Sequence, residues 1–115
     1  MEIFNRLSTI RAFEKANLPF LATVEDFDIV CVIGLHQERA SPLQLKQLYL
    51  EGIGSYATVS RRLGRLRSAG HVLAVPSDAD RRSIVLTLSL QLQKIYQRYD
   101  TCLAGQVVWP ALTGT

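Results

Sequence analysis

Ser55-Tyr-Ala-Thr-Val-Ser-Arg-Arg-Leu-Gly-Arg-Leu-Arg-Ser-Ala-Gly70 runs directly into His71-Val-Leu-Ala-Val-Pro76, Ser77-Asp-Ala-Asp-Arg-Arg82 and Ser83-Ile-Val-Leu-Thr-Leu88. The first stretch predicts a helix that Ser55 caps and Gly70 ends. His71–Val75 and Ser83–Leu88 are β-branched and aliphatic and flank a polar tip, the pattern of a hairpin. Together they lay out a winged helix-turn-helix. The expected fold class is mainly α with a small β-hairpin (α+β). Such a helix suits a DNA major groove, and arginines at the ribbon tip suit the neighbouring minor groove or the backbone.

Upstream, Ser41-Pro42 reads as a helix start, with serine as N-cap and proline at the first helical position. Leu43, Leu45, Leu48 and Leu50 supply apolar contacts for a short helix ending near Glu51. Gly52-Ile-Gly54 then makes the turn of a helix-turn-helix. Thr23 and Asp26 form a capping box with Asp in the place of Glu or Gln, opening a helix over about 24–38. That helix is apolar nearly all round, through Phe27, Ile29, Val30, Cys31, Val32 and Ile33, which predicts a central, buried element. Residues 2–17 read as a first helix broken by Pro19. Ser89 caps a last helix over about 90–104, and Gly105 ends it; the segment 106–115, with Trp109-Pro110, carries no clear pattern.

The 115 residues fit one domain: a core at 24–88, with flanking helices at 1–18 and 89–105. Hydrophobic residues make up 48% and charged ones 20%, which excludes a disordered chain. The net charge of +3 is unevenly placed. Residues 1–57 hold five basic and seven acidic side chains; residues 58–115 hold eight and three. Six of those eight are Arg61, Arg62, Arg65, Arg67, Arg81 and Arg82, all inside the quoted segment. A local basic patch matters more for phosphate than total charge does. Arginine forks also suit phosphates and guanine edges better than lysine.

On the helix after Ser55, Val59, Leu63 and Leu66 share a narrow arc and should face the core. The opposite side then carries Ala57, Thr58, Arg61, Gly64, Arg65 and Ser68. Small residues let a helix sit deep in a groove about 12 Å wide. Arg61 and Arg65 could reach guanine or phosphate, Thr58 a phosphate or base, and Ala57 a thymine methyl. Gly64 costs about 1 kcal/mol against alanine in mid-helix. Either close backbone approach or a packing need would account for it. Arg62 and Arg67 flank the core arc, where phosphate contact and snorkelling along the surface would suit them equally. At the hairpin tip, Asp80 stands two residues before Arg82 and could hold its guanidinium in a bidentate pair. An ordinary polar turn accounts equally well for Asp78 and Arg81.

Thr58-Val-Ser-Arg61, Leu63, Leu66, Gly70, Asp80-Arg-Arg82 and Leu86-Thr-Leu-Ser89 resemble the multiple-antibiotic-resistance-regulator (MarR) type of winged-helix regulator. The resemblance covers roughly 24–104 and is strongest over 55–89. It implies a homodimer on a pseudo-palindromic operator. Thr58, Ser60 and Arg61 would lie near the major groove, with Arg82 at the wing tip held by Asp80. The candidate DNA-binding set is therefore Ser55, Ala57, Thr58, Ser60, Arg61, Arg62, Arg65, Asp80, Arg81 and Arg82. The family builds its dimer from the first and last helices and often binds a small-molecule effector between the dimer and DNA-binding regions. The stripe Leu92, Ile95, Tyr96, Tyr99 and Leu103, with Ile3, Leu7 and Ile10, would supply such a dimerisation surface, or would equally well cover the core of its own domain. The chain departs from the family in a shorter C-terminus.

Cys31 and Cys102 have no pairing motif and suggest neither a disulfide scaffold nor a zinc site. Cys31 is expected as a small buried hydrophobe. His36 and His71 lack companions at ligand spacing, so no metal or other cofactor is expected. No nucleophile motif points to an enzyme. No signal segment and no apolar run of about 20 residues occurs, which leads to the expectation of a cytoplasmic protein without a membrane partner. The partners expected are double-stranded DNA and a second copy of the chain. The rival readings are a winged-helix protein-interaction adaptor and a nonspecific, architectural DNA binder.

Overall fold

Thr23 and Asp26 cap the N-terminus of the second helix reciprocally. The Asp26 amide donates to Thr23 Oγ1 at 3.2 Å, and the Thr23 amide donates to Asp26 Oδ2 at 3.2 Å. The full capping box therefore forms with the shorter acid. A computed structural model describes residues 2–113, with side-chain surroundings for residues 2–104. The elements run α1 (Glu2–Asn17), α2 (Val24–Glu38), β1 (Leu43–Gln44), α3 (Leu45–Tyr49), α4 (Tyr56–Ser68), β2 (Val72–Pro76), β3 (Ile84–Leu88) and α5 (Leu90–Thr113). They divide into two compact units: Met1–Phe20 with Gln91–Thr115, and Leu21–Leu90.

The larger unit, Leu21–Leu90, is built around a three-stranded antiparallel sheet in the order β1-β3-β2. Leu86 sits at its centre, opposite Leu43 on β1 and Ala74 on β2. Ile29, Val30 and Ile33 of α2, Leu48 of α3, Val59, Leu63 and Leu66 of α4, and Val72, Leu86 and Leu88 of the sheet are buried. Burial of aliphatic side chains, about 1.5–3 kcal/mol each, is what holds these short elements together. Gln37 adds a polar tie, its Oε1 accepting the Leu88 amide at 2.7 Å.

Two readings of the sequence are corrected in this unit. Ser41-Pro42 does not start a helix. Leu43 and Gln44 instead pair with Leu86 and Val85 as β1, and α3 begins only at Leu45. Gln47 Oε1 accepts the Gln44 amide at 3.0 Å and takes over the capping. Burying Leu43 completely in the sheet outweighs a local Ser-Pro signal, whereas Leu50 lies outside the core at 83% exposure. The second correction concerns α2. It has one exposed stripe, Val24, Asp28, Cys31, Leu35 and Glu38 at helical spacing. Cys31 is thus an exposed thiol, not a buried hydrophobe.

In the smaller unit, α1 has no buried residue, and Ile3, Phe4 and Leu7 are exposed. Its last turns meet α5. The Phe13 and Tyr99 rings contact edge-on at 5.0 Å, Tyr96 stacks on Tyr99, and the Tyr99 hydroxyl donates to Glu14 Oε2 at 2.9 Å. Burial first, and then this bond to the Glu14 carboxylate, push the Tyr99 hydroxyl well above its ordinary value. α5 follows Ser89 directly but does not stop at Gly105. It continues to Thr113, because a helical glycine costs about 1 kcal/mol without forbidding propagation. The C-terminal helix therefore has 24 residues, longer than the 90–104 read from sequence. Trp109 lies outside the residues whose side chains are described. Among the described residues no helix is long and apolar enough to cross a membrane.

Candidate nucleic-acid interface

α4 is fastened at both ends by the signals in its sequence. Ser55 Oγ accepts the Thr58 amide at 3.1 Å, and its hydroxyl donates to Thr58 Oγ1 at 3.0 Å. At the far end Gly70 takes a left-handed φ of 83°. The Gly70 amide then bonds the Arg67 carbonyl, and the His71 amide bonds the Leu66 carbonyl. This is the Schellman pairing, which needs a residue tolerant of positive φ. Before α4, Tyr49 and Tyr56 stack across the inter-helix turn with centroids 4.4 Å apart. Gly52, at φ 74°, makes that turn.

With Val59, Leu63 and Leu66 turned inward, the outward face presents Ala57, Arg61, Gly64, Arg65, Arg67 and Ser68, all exposed; Thr58 and Ser60 are half-buried at its margins. Ser55 is exposed, but its hydroxyl is engaged with Thr58. A Cβ on Gly64 would meet no atom within 4 Å. Among the described residues, no packing need accounts for this glycine. Gly64→Ala should stabilise the free protein by about 0.5–1 kcal/mol. A melting temperature unchanged or lowered in thermal denaturation would contradict that.

The structure removes Arg62 from the outward set. It is 8% exposed. Its Nε donates to Asp26 Oδ1 at 2.7 Å, and its Nη2 donates to Asp26 Oδ2. Asp26, 1% exposed, also accepts the Ala22 and Thr23 amides. Burial pushes its carboxyl up, but the Arg62 fork, the two amides and the guanidinium charge outweigh that and hold it below its ordinary value. The sequence alone does not disclose this pairing, because the partners are 36 positions apart and Asp26 reads as a helix cap. Of the two arginines flanking the core arc, only Arg62 faces a buried carboxylate; Arg67 is exposed.

The hairpin tip is also rearranged relative to expectation. Asp80 holds the backbone and not a guanidinium. Its Oδ1 accepts the Arg82 amide at 3.0 Å, and its Oδ2 accepts the Ser83 hydroxyl at 3.3 Å. The Ser77 amide bonds the Ser83 carbonyl at 2.8 Å and closes the loop. A short aspartate two residues before an amide makes an Asx turn more readily than it reaches round to the long side chain. Among the described residues no ion pair joins Asp80 to Arg82, and both Arg81 and Arg82 are exposed. Also among the described residues, no group of His, Cys, Asp and Glu is disposed to hold a metal.

Of the dimerisation candidates, Ile3 and Leu7 are exposed, Ile10, Ile95, Tyr96, Tyr99 and Leu103 are half-buried, and Leu92 is fully buried. Tyr96 and Tyr99 are committed to ring contacts inside their own unit.

No protein-family model and no curated protein matches the chain. Solved structures do, and the fold they define is the winged helix of MarR-type structures. A mutant MarR from Escherichia coli complexed with operator DNA is 22% identical with a TM-score of 0.58, over 94% of this chain and 74% of that one. RV1404 from Mycobacterium tuberculosis is 13% identical with a TM-score of 0.69, over 97% and 72%. The transcriptional regulator Tm0710 from Thermotoga maritima is 19% identical with a TM-score of 0.57, over 96% and 82%.

Proposed function

We propose that the chain is a sequence-specific duplex-DNA-binding transcription regulator. α4 would enter the major groove, and the β2–β3 wing would reach the minor groove or backbone. The observation that carries this reading is the outward face of α4: small, basic, and uncovered at Gly64. A helix face of that shape admits close approach, and its arginine forks match guanine edges and phosphates. The similarity of the fold to that of a protein solved in complex with operator DNA supports DNA binding.

The regulator would act as a homodimer through α1 and α5, where Ile3 and Leu7 are exposed. Paired recognition helices would then lie ~34 Å apart, one turn of DNA. Selection from random duplex DNA at physiological salt tests this reading. Enrichment of an inverted repeat with half-sites one turn apart is expected; recovery of an unbiased pool would reject it in favour of a nonspecific binder or an adaptor.

On the enriched duplex, Arg61→Ala should weaken binding by about 1–3 kcal/mol through loss of a bidentate base contact. Equal affinity for wild type and variant in titration would remove Arg61 from the interface. Arg82→Ala should lower affinity with little change in sequence preference and flatten the dependence on salt, read as the slope of log K against log salt.

A further inference from the structure

The Asp26–Arg62 pair does something that neither the capping box nor the DNA-facing surface requires. Arg62 is one residue from Arg61 and three from Arg65 on the same helix. Rotation of α4 about its axis therefore moves all three together. Apolar contacts through Val59, Leu63 and Leu66 hold the helix to the core, but the hydrophobic driving force is non-directional and does not by itself specify the angle of a side chain on the opposite flank. A planar guanidinium bonded through two nitrogens to two oxygens does specify an angle. The Asp26 carboxylate is itself immobilised, since Oδ2 also takes the Ala22 and Thr23 amides at the N-terminus of α2. The fork is thus anchored to backbone at one end and to α4 at the other, in a setting where both side chains are buried.

We infer that Asp26 and Arg62 are positioning residues for DNA discrimination: their fork sets the rotation of α4, and with it the direction in which Arg61 and Arg65 project. The inference rests on the regulator reading for its functional consequence and on the geometry alone for its structural one. Arg62 itself, buried against Asp26, would touch no DNA. It contributes to recognition of base edges, where direction matters, and not to phosphate attraction, where charge suffices.

Arg62→Lys keeps the charge and removes the fork. Two readouts on the full chain decide the matter. The first is amide hydrogen exchange in the free protein, where residues 59–68 should exchange faster in the variant while the β2–β3 pairing stays as in wild type. The second is affinity for the enriched duplex and for a scrambled duplex of equal length and composition. Affinity for the scrambled duplex should stay within about two-fold, while affinity for the enriched one falls ~10-fold, the size of one misdirected bidentate contact. Equal losses on both duplexes would show that the fork supports DNA binding in general and not discrimination between sequences, and would overturn the inference. So would unchanged discrimination with unchanged exchange. Should the lysine variant fail to fold, Arg62→Gln retains one donor to Asp26 and is read in the same way. If wild type enriches no duplex, the regulator reading fails, and the exchange experiment still decides whether the fork holds α4.

Discussion

Asp26→Ala is expected to destabilise the protein by about 3–5 kcal/mol, the usual effect of removing one partner of a buried ion pair. The substitution leaves the Arg62 guanidinium facing an apolar methyl and strips the Ala22 and Thr23 amides of their acceptor. Against a total stability of about 5–15 kcal/mol for a small domain, that loss is a large fraction of the whole. The sign of the pH dependence follows from the carboxyl itself. Its folded value lies below the ordinary 3.8, so its contribution is complete above that pH and disappears as the pH falls through the depressed folded value. Urea denaturation at pH 7 and pH 3 should therefore show a wide gap between wild type and variant at the higher pH and a narrower one at the lower. A gap that is constant, or that widens in acid, would mean that the carboxylate charge is not what Asp26 supplies.

Leu86→Ala should cost about 2–5 kcal/mol, the range for opening a cavity at a buried leucine. Leu86 is 0% exposed and stands at the only position of the described sheet paired on both sides by hydrophobic residues, Leu43 and Ala74. Neither neighbour can fill the space: Ala74 is already small, and Leu43 belongs to a two-residue strand held in place by its turn into α3. The loss should appear as a lower urea midpoint with the slope preserved. A conservative Leu86→Met should recover most of it, since volume is nearly kept. A Leu86→Ala variant within about 0.5 kcal/mol of wild type would show that the sheet carries little of the fold.

Much of this architecture could be read from the chain because its signals are local. Ser55 and Gly70 bound α4 through contacts that span at most five residues, and the 3.6-residue spacing of Val59, Leu63 and Leu66 names its buried side. The hairpin was legible for the same reason. What escaped sequence reading depends on distant partners. Leu43 became a strand residue because β3 offered it a pairing edge 43 positions away, and Arg62 turned inward because Asp26 waited beneath it. Arg62 and Arg67 occupy equivalent flanks of the same helix, and nothing within α4 tells them apart. Asp80 shows the converse case: the sequence marks the residue, but its carboxylate finds a closer donor in the Arg82 amide than in the Arg82 guanidinium.

The wing tip has a kinetic consequence. Asp78 and Asp80 balance Arg81 and Arg82, so the turn is neutral as a whole. Beyond a Debye length of ~8 Å at physiological salt, a phosphate chain senses little of it. In the proposed regulator, long-range capture of DNA would fall to unbalanced arginines such as those exposed on α4. The wing would then act only after encounter, within the few ångströms where separate charges are resolved. Neutralising its arginines should therefore shorten the lifetime of a complex and leave the rate at which complexes form almost untouched.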